Sequence, residues 1–362
     1  MSADEGVTLT RATYDKLTAD FAKITGTNEA LAQTFLQDHE WNLERSVQTF
    51  YEALNEEEKQ NKRQNVAPAI NFPRNFTGAP SKQVDPDDLY DPRTVQQLFG
   101  EGKAVTTEPP PRLKFLTWNL DGLDVHNLKR RTRAVIKLIE KHEPDIIFLQ
   151  EVIPESADYF ESKLPEYKCI RGGEDDYFTM TLLRIFTIFY DNSCTVDFPD
   201  TQMGRNLLIT EAHMGKLKFK LLNTHLESTA EHSAERMNQL KIAFDKCELF
   251  STDYTVIFGG DLNLRDKEAQ VPRNFFDLWE YCGCPQQFKY TWDMTKNTNS
   301  KANFGRFKPR CRFDRVYFRF SSPKRAFPKH FALIGSEKVP QTQSFPSDHW
   351  GIVILFDLDH RV

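Results

Sequence analysis

Four short polar motifs each sit at an end of an apolar run, and this pairing constrains the fold of the chain most. They are Thr117-Trp118-Asn119-Leu120-Asp121, Leu149-Gln150-Glu151, Gly260-Asp261-Leu262-Asn263 and Ser347-Asp348-His349. A short apolar run that stops at a polar turn reads as a buried strand whose end projects side chains into a loop. Lys114–Trp118, Asp145–Leu149 and Thr255–Phe258 run into such motifs, and Gly351–Leu358 starts just after one. The residue types are carboxylates, carboxamides and a histidine. They supply oxygen ligands for a hard cation, a group to hold water and a donor for phosphate charge. All four motifs in this order point to hydrolysis of phosphate esters.

The segments between the motifs complete an α/β pattern. Lys129–Lys141 predicts a basic amphipathic helix with Val135, Leu138 and Ile139 inward, stopped by Pro144. Glu231–Phe250 predicts a second helix. Tyr177–Leu183, Leu207–Ile209, Phe219–Leu222 and Phe313–Phe318 predict further strands. The expected architecture is two packed sheets with helices outside, and no internal repeat is visible. Lys129-Arg130-Arg131-Thr132-Arg133 reads either as a nuclear signal or nucleic-acid patch, or as a solvated helix face.

The first 111 residues differ in character. Residues 1–10 are polar and expected to be disordered, and their acidic start is unlike a signal peptide. Residues 11–55 predict three short helices. Tyr14, Leu17, Phe21 and Ile24 share one face of the first, Asn28 and Asn42 can cap the next two, and Trp41 is expected to be buried. Residues 56–111 are Pro-rich and poor in aliphatics, which predicts a flexible linker, with Asp91–Phe99 a brief helical turn within it. Residues 1–60 hold five Lys/Arg against twelve Asp/Glu, a net −7; the remainder carries +2 of the total −5. That balance neither requires nor excludes nucleic acid. Six scattered Cys without C-x-x-C spacing predict reduced thiols and a nuclear or cytoplasmic compartment. No apolar run nears the ~18 residues that span a bilayer, so no membrane partner is expected.

Each motif has a chemical reading. Asn119 and Glu151, at the ends of strands that a helix can make neighbours, can share one Mg²⁺. Asp261 can accept a hydrogen bond from the attacking water, and Asn263 can orient water or a phosphate oxygen. Protonated His349 can donate to phosphoryl oxygens, with Asp314 as the partner that keeps it charged. Asp348 suits phosphate or metal-bound water. His225 can contact phosphate or support Asp261. Arg265 can pair with phosphate, and Tyr177 and Trp292 can stack or hydrogen-bond near the scissile group.

From Arg112 onward, these motifs resemble the endonuclease/exonuclease/phosphatase (DNase I-like) superfamily, whose fold is a four-layer α/β sandwich. Longer strings, including Thr117-Trp-Asn-Leu-Asp-Gly-Leu-Asp124, His225-Leu-Glu-Ser-Thr229, Ala234-Glu-Arg-Met-Asn-Gln-Leu240 and Phe345-Pro-Ser-Asp-His-Trp-Gly351, resemble its 5′-tyrosyl-DNA phosphodiesterase family. Residues 11–55 resemble the UBA-like domains. The resemblance implies a catalytic domain over 112–362 that hydrolyses a topoisomerase II tyrosine from a DNA 5′-phosphate. It implies Mg²⁺, with Mn²⁺ as a substitute, and a catalytic set of Asn119, Glu151, Asp261 and His349, supported by Asn263 and Asp314. Metal-site roles fall on Glu151, Asp121, Asn119 and Asp348. DNA contacts fall on Tyr177, Arg205, His225, Ser228, Arg236, Arg265 and Trp292. Expected partners are DNA ends with 5′-phosphotyrosyl or 5′-peptide adducts, single-stranded at the end, RNA with 5′-linked protein, and ubiquitin or SUMO through residues 11–55, with no contact residue named. The expected state is a monomer in the nucleus and cytoplasm. Rival readings are an abasic-site endonuclease or an inositol 5-phosphatase of the same fold, or a non-enzymatic ubiquitin-binding adaptor. The string Cys311-Arg-Phe-Asp-Arg315 departs from the 5-phosphatase signature.

Overall fold

The structure is a computed structural model that describes residues 11–25, part of 27–50, and 110–360 except 175 and 301–307. The expected disordered start, most of the linker and the turn at 91–99 lie outside the described residues. In the N-terminal unit, helix α1 (Arg11–Thr25) places Phe21 against Ala32, Leu36 and Phe50, the small core expected of a helical trio. Asn42 caps as expected: its side chain accepts from the Arg45 amide at 2.9 Å. Two expectations need correction. Ile24 is 51% exposed, because it falls at the end of α1, past the last buried turn. Trp41 is half-buried rather than enclosed, its ring 4.3 Å from that of Tyr14.

The C-terminal region holds two six-stranded sheets face to face. The first contains β1 (Arg112–Asn119), β2 (Ile146–Val152), β3 (Tyr167–Arg171), β4 (Phe178–Arg184), β13 (Ala326–Ile334) and β14 (Gly351–Leu358), in the order β13-β14-β1-β2-β4-β3. The second contains β5 (Phe189–Asp197), β6 (Asn206–Met214), β7 (Leu217–His225), β8 (Tyr254–Asp261), β9 (Phe276–Asp277) and β12 (Asp314–Arg319), in the order β5-β6-β7-β8-β12-β9. A short ribbon pairs β10 (Trp292–Asp293) with β11 (Arg310–Cys311). Each sheet is built around one parallel pair, β1 with β2 and β7 with β8. A parallel pair needs a crossover, and a helix supplies it each time. These are α2 (Leu128–His142) and α4 (Ser233–Glu248); α3 (Pro154–Lys163) follows β2.

Period-two alternation assigns the layers. On β1, Leu113 and Phe115 join the core between the sheets, with Phe148, Phe219 and Ile354. Leu116 and Trp118 face the other way, against Val135, Ile136 and Ile139 of α2. On the second sheet, Leu222, Phe258 and Tyr317 pack under Leu240 and Phe244 of α4. The four layers are therefore helix, sheet, sheet, helix. Among the described residues no helix is long and apolar enough to cross a membrane.

Candidate active site

Strand register builds the site. Asp261 ends β8 opposite His225 on β7 and opposite Asp314 on β12, so three strands deliver three titratable groups at one level. Across the gap between the sheets, Asn119 ends β1 opposite Gln150 of β2. The ladder between β2 and β4 is irregular between Leu149 and Val152, and there Glu151 takes a left-handed φ of 53°. That bulge turns the Glu151 carboxylate toward Asn119. Asp121 and Asn263 also hold positive φ, 50° and 51°. Non-glycine residues in this region cost energy and cluster at functional sites.

The gathered side chains form one hydrogen-bonded array. Asn119 Nδ2 donates to Asp261 Oδ2 at 2.8 Å and to Glu151 Oε1 at 3.0 Å. Asn119 Oδ1 accepts the Asp121 amide at 2.9 Å, which fixes the orientation of the carboxamide. His349 Nδ1 meets Asp314 Oδ2 at 2.7 Å, and its Nε2 lies 3.7 Å from Asp261 Oδ2. Burial disfavours a charged His349, but Asp314, Asp261 and Asp348 outweigh it and hold the imidazolium well above the usual histidine range. His225 is the opposite case. Its Nδ1 lies 2.8 Å from Arg205 Nη1, and a guanidinium only donates, so Nδ1 accepts and Nε2 carries the proton toward Asp261 Oδ2 at 3.4 Å. Burial and the Arg205 charge keep this ring neutral. Burial pushes the Asp261 carboxyl up to about 7, opposed by His349 and helped by Asp314.

A second acidic group borders the first. Burial, then the neighbouring Asp348, raises both Glu151 and Asp121, Asp121 to about 8. Crowded carboxylates of this kind suit a divalent cation. Among the described residues, the triads close enough to chelate are Glu151–His225–Asp261 and Asp261–Asp314–His349. Neither suits an ion through its histidine: His225 Nε2 carries a proton, and both nitrogens of the His349 imidazolium do. Glu151, with Asp121 and Asp348 as its charged neighbours, is the carboxylate of these triads left free of a histidine proton to hold a cation.

Several expected roles change. Asn119, expected near metal, accepts the Asp121 amide with one lone pair of its oxygen and turns its nitrogen to the carboxylates. It is a donor to the site. Asp314 keeps its expected place as the partner of His349: it is fully buried behind that ring and acts through it rather than on substrate. Trp292 commits its indole N–H to Asp348 Oδ2 at 3.0 Å and braces that carboxylate. Arg236, expected on DNA, is 1% exposed; its guanidinium donates to Glu268 and to the carbonyls of Glu227 and Thr229. That removes it from any ligand and makes it the tie between α4 and the loop after β7.

Other expected contacts do converge. Tyr177, Arg205 and His225 line one cavity of about 220 Å³ with Gly172 and Gly173, and the Arg205 guanidinium lies 5.2 Å from the Tyr177 ring centre. Ser228 Oγ donates to Met203 Sδ at the same loop. Arg265 lies over the Phe313 ring at 5.4 Å, and Asn263 bonds the Asp261 carboxylate through its amide.

Sequence reasoning passed over four supporting groups. Arg131 sat inside a basic run, yet it is buried, paired with Asp121 Oδ2 at 3.3 Å and bonded to the carbonyls of Leu120, Asp121, Asp124, His126 and Pro346. Ser347 Oγ donates to the Asn119 carbonyl at 2.6 Å and accepts the His349 amide. Gln150 reaches across the sheets to Asn223 Oδ1 at 2.8 Å. Glu227 Oε1 accepts from Thr201 Oγ1 and the amides of Gln202 and Met203, which shapes the Arg205 loop. The motif neighbours Gln150 and Ser347 were the only available signal. Gly122 is required by close approach: a Cβ there would lie 2.0 Å from the Glu151 carbonyl oxygen. Gly122→Ala is expected to lower stability by about 1–3 kcal/mol and to reduce turnover, measured by thermal melting beside initial rates.

With that geometry in view, comparison with known proteins is decisive. Residues 116–349 match the family model for the endonuclease/exonuclease/phosphatase family, and residues 15–57 match that for a UBA-like domain. Tyrosyl-DNA phosphodiesterase 2 (TDP2) of Xenopus laevis is 37% identical over 355 residues, spanning 93% of this chain and 92% of that protein. The chain belongs to the tyrosyl-DNA phosphodiesterase 2 family. The crystal structure of D. rerio TDP2 complexed with single-strand DNA product matches at TM-score 0.66 and 38% identity, over 68% of this chain and 99% of that one. TDP2 from C. elegans matches at TM-score 0.64 and 30% identity, over 99% of this chain and 97% of that one. Members of this family are phosphodiesterase hydrolases, and the site described above is of that kind.

Proposed function

We propose that the chain is a Mg²⁺-dependent 5′-tyrosyl-DNA phosphodiesterase that releases topoisomerase II tyrosine from DNA 5′ ends and leaves a 5′-phosphate for repair. The observation that carries this reading is the buried His349 imidazole, paired with Asp314 and 3.7 Å from Asp261 Oδ2, with the Asn119 amide tying Asp261 to Glu151. Asp261 takes a proton from water as the water oxygen attacks phosphorus. The phosphorus–tyrosyl oxygen bond breaks opposite, and the phenolate takes a proton from solvent. Phenol has a pKa near ~10, so departure needs charge stabilisation more than a strong acid. His349 Nε2–H supplies a donor where phosphoryl charge grows, while Asn119, whose two amide hydrogens go to Asp261 and Glu151, holds those carboxylates in place. When bound, Mg²⁺ at Glu151 would neutralise further charge on the phosphoryl oxygens. Tyr177 and Arg205 line the adjoining cavity, which suits the nucleotide behind the scissile phosphate.

The decisive assay offers the full chain a single-stranded oligonucleotide with a 5′-phosphotyrosine, with and without Mg²⁺, beside a duplex carrying an abasic site. Metal-dependent tyrosine release with the abasic duplex intact is expected. Cleavage of the abasic duplex alone would refute this substrate and favour the endonuclease reading. The matching RNA substrate tests 5′-linked RNA. Work on such adducts would place the protein in the nucleus, and the UBA-like unit offers a ubiquitin-type contact, tested by titrating ubiquitin into residues 1–55.

The pH profile follows from the two groups. Asp261 must be ionised, so turnover rises as pH passes upward through about 7. His349 must stay protonated, so the alkaline fall lies well above the usual histidine range. Asp314→Asn removes the carboxylate that most supports the imidazolium, and the alkaline limb should move to lower pH. An unmoved limb in the pH–rate profile would show that His349 does not titrate there.

A further inference from the structure

We propose that the outer ridge of α2 binds the sugar–phosphate backbone of the substrate strand beyond the scissile phosphate. Lys129, Arg133, Lys137 and Lys141 recur every fourth residue on this helix, and Arg130 adjoins them; all five are exposed. Residues four apart on a helix are neighbours, so these like charges repel one another. Among the described residues none of the five has an ion-pair partner. Among the described residues the fold takes only two exposed hydrogen bonds from the five, Arg133 to the Tyr159 hydroxyl and Arg130 to the Gln341 carbonyl, since α2 is held by Val135, Ile136 and Ile139 on its opposite face. Arg131, in the middle of the run, is buried and takes no part.

The ridge is placed for a strand leaving the catalytic centre. The loop that carries Asn119 and Asp121 runs directly into the start of α2, and Arg130 Nη1 donates to the Gln341 carbonyl, which pins this end beside the segment that leads to His349. From Lys129 to Lys141 the helix rises ~18 Å, the axial length of about five phosphates at ~3.4 Å each along one strand. An extended polyanion is the partner that neutralises such a line, and a nucleic acid is the polyanion already at this site under the proposed function, on which the inference rests.

The test uses the full chain and the quadruple variant Lys129→Gln, Arg133→Gln, Lys137→Gln, Lys141→Gln. Substrates are 5′-phosphotyrosyl oligonucleotides of 4 and 20 nucleotides, assayed across salt. The wild type is expected to show a KM lower for the longer substrate, and the variant to lose about tenfold or more on it while kcat and the short substrate are unchanged. The slope of log affinity against log salt should shrink by about 3, at ~0.7 per phosphate on single strands. Equal length dependence in both proteins overturns the proposal. Anisotropy binding of the unmodified 20-mer reads the ridge without catalysis, so failure of tyrosine release in both proteins counts against the proposed function and not the ridge. Loss of binding to phosphatidylserine vesicles with unchanged 20-mer binding would assign the ridge to a lipid surface and refute the nucleic-acid assignment.

Discussion

Asp261→Asn is expected to lower kcat/KM on a 5′-phosphotyrosyl oligonucleotide by roughly 10²–10⁴-fold, the range for a lost general base, a loss far larger than its effect on the melting temperature. The side chain is 2% exposed, and burial disfavours its ionised form, with its carboxyl lifted to about 7. Removing the charge while keeping the shape relieves that penalty, which offsets the loss of the hydrogen bond from Asn119 Nδ2. The Asn263 amide retains an oxygen to bond, as the carboxylate does now at 3.1 Å. Activity and stability thus separate, as expected where function holds a group in an unfavourable state. The check is initial rates alongside a thermal melt. A variant that keeps more than a tenth of wild-type rate would remove Asp261 from proton transfer.

Arg131→Met is expected to do the reverse and cost about 3–5 kcal/mol of stability, the range for breaking a buried ion pair from one side. The Asp121 carboxylate, already pushed up by burial and by Asp348, would lose its ion pair at 3.3 Å. The carbonyls of Leu120, Asp121, Asp124 and His126 would lose their shared donor, and the loop after Asn119 would lose its anchor. Lys129→Met, on the exposed side of the same helix, should change stability by less than about 0.5 kcal/mol. Chemical denaturation of both variants measures the contrast. Equal stability would mean that the loop holds its shape without the guanidinium.

The elements legible in the sequence were those whose burial imposes a pattern. The central strands β1, β2, β7, β8, β12 and β14 and the helices α2 and α4 were all anticipated, because a strand or helix between packed layers must be apolar at a fixed period. The strands β3, β5, β9 and β13, the short β10–β11 ribbon and helix α3 were not. The four strands lie at sheet margins: β13 and β3 bound the first sheet, β5 and β9 the second. Most of β5 is exposed, so Phe189–Asp197 carries no alternation to detect. The β13 ladder shifts between Pro328 and His330, which breaks the period.

Within the site, sequence determined the chemical types and the strand ends that bear them: Asn119, Glu151, Asp261 and His349 were legible because polar residues at the ends of buried strands must face a loop. Tertiary structure alone decided what each group does. Asn119 reaches Asp261 across 142 residues, and Ser347 reaches Asn119 across 228. Such pairings depend on register and on the stacking of two sheets, which no local pattern encodes. The same holds for the proton on His225 Nε2, set by Arg205, and for the charge on His349, set by Asp314. It holds as well for Arg131 and Arg236, two cations that read as surface charge and are buried, because only packed neighbours can offer a guanidinium enough acceptors to leave water.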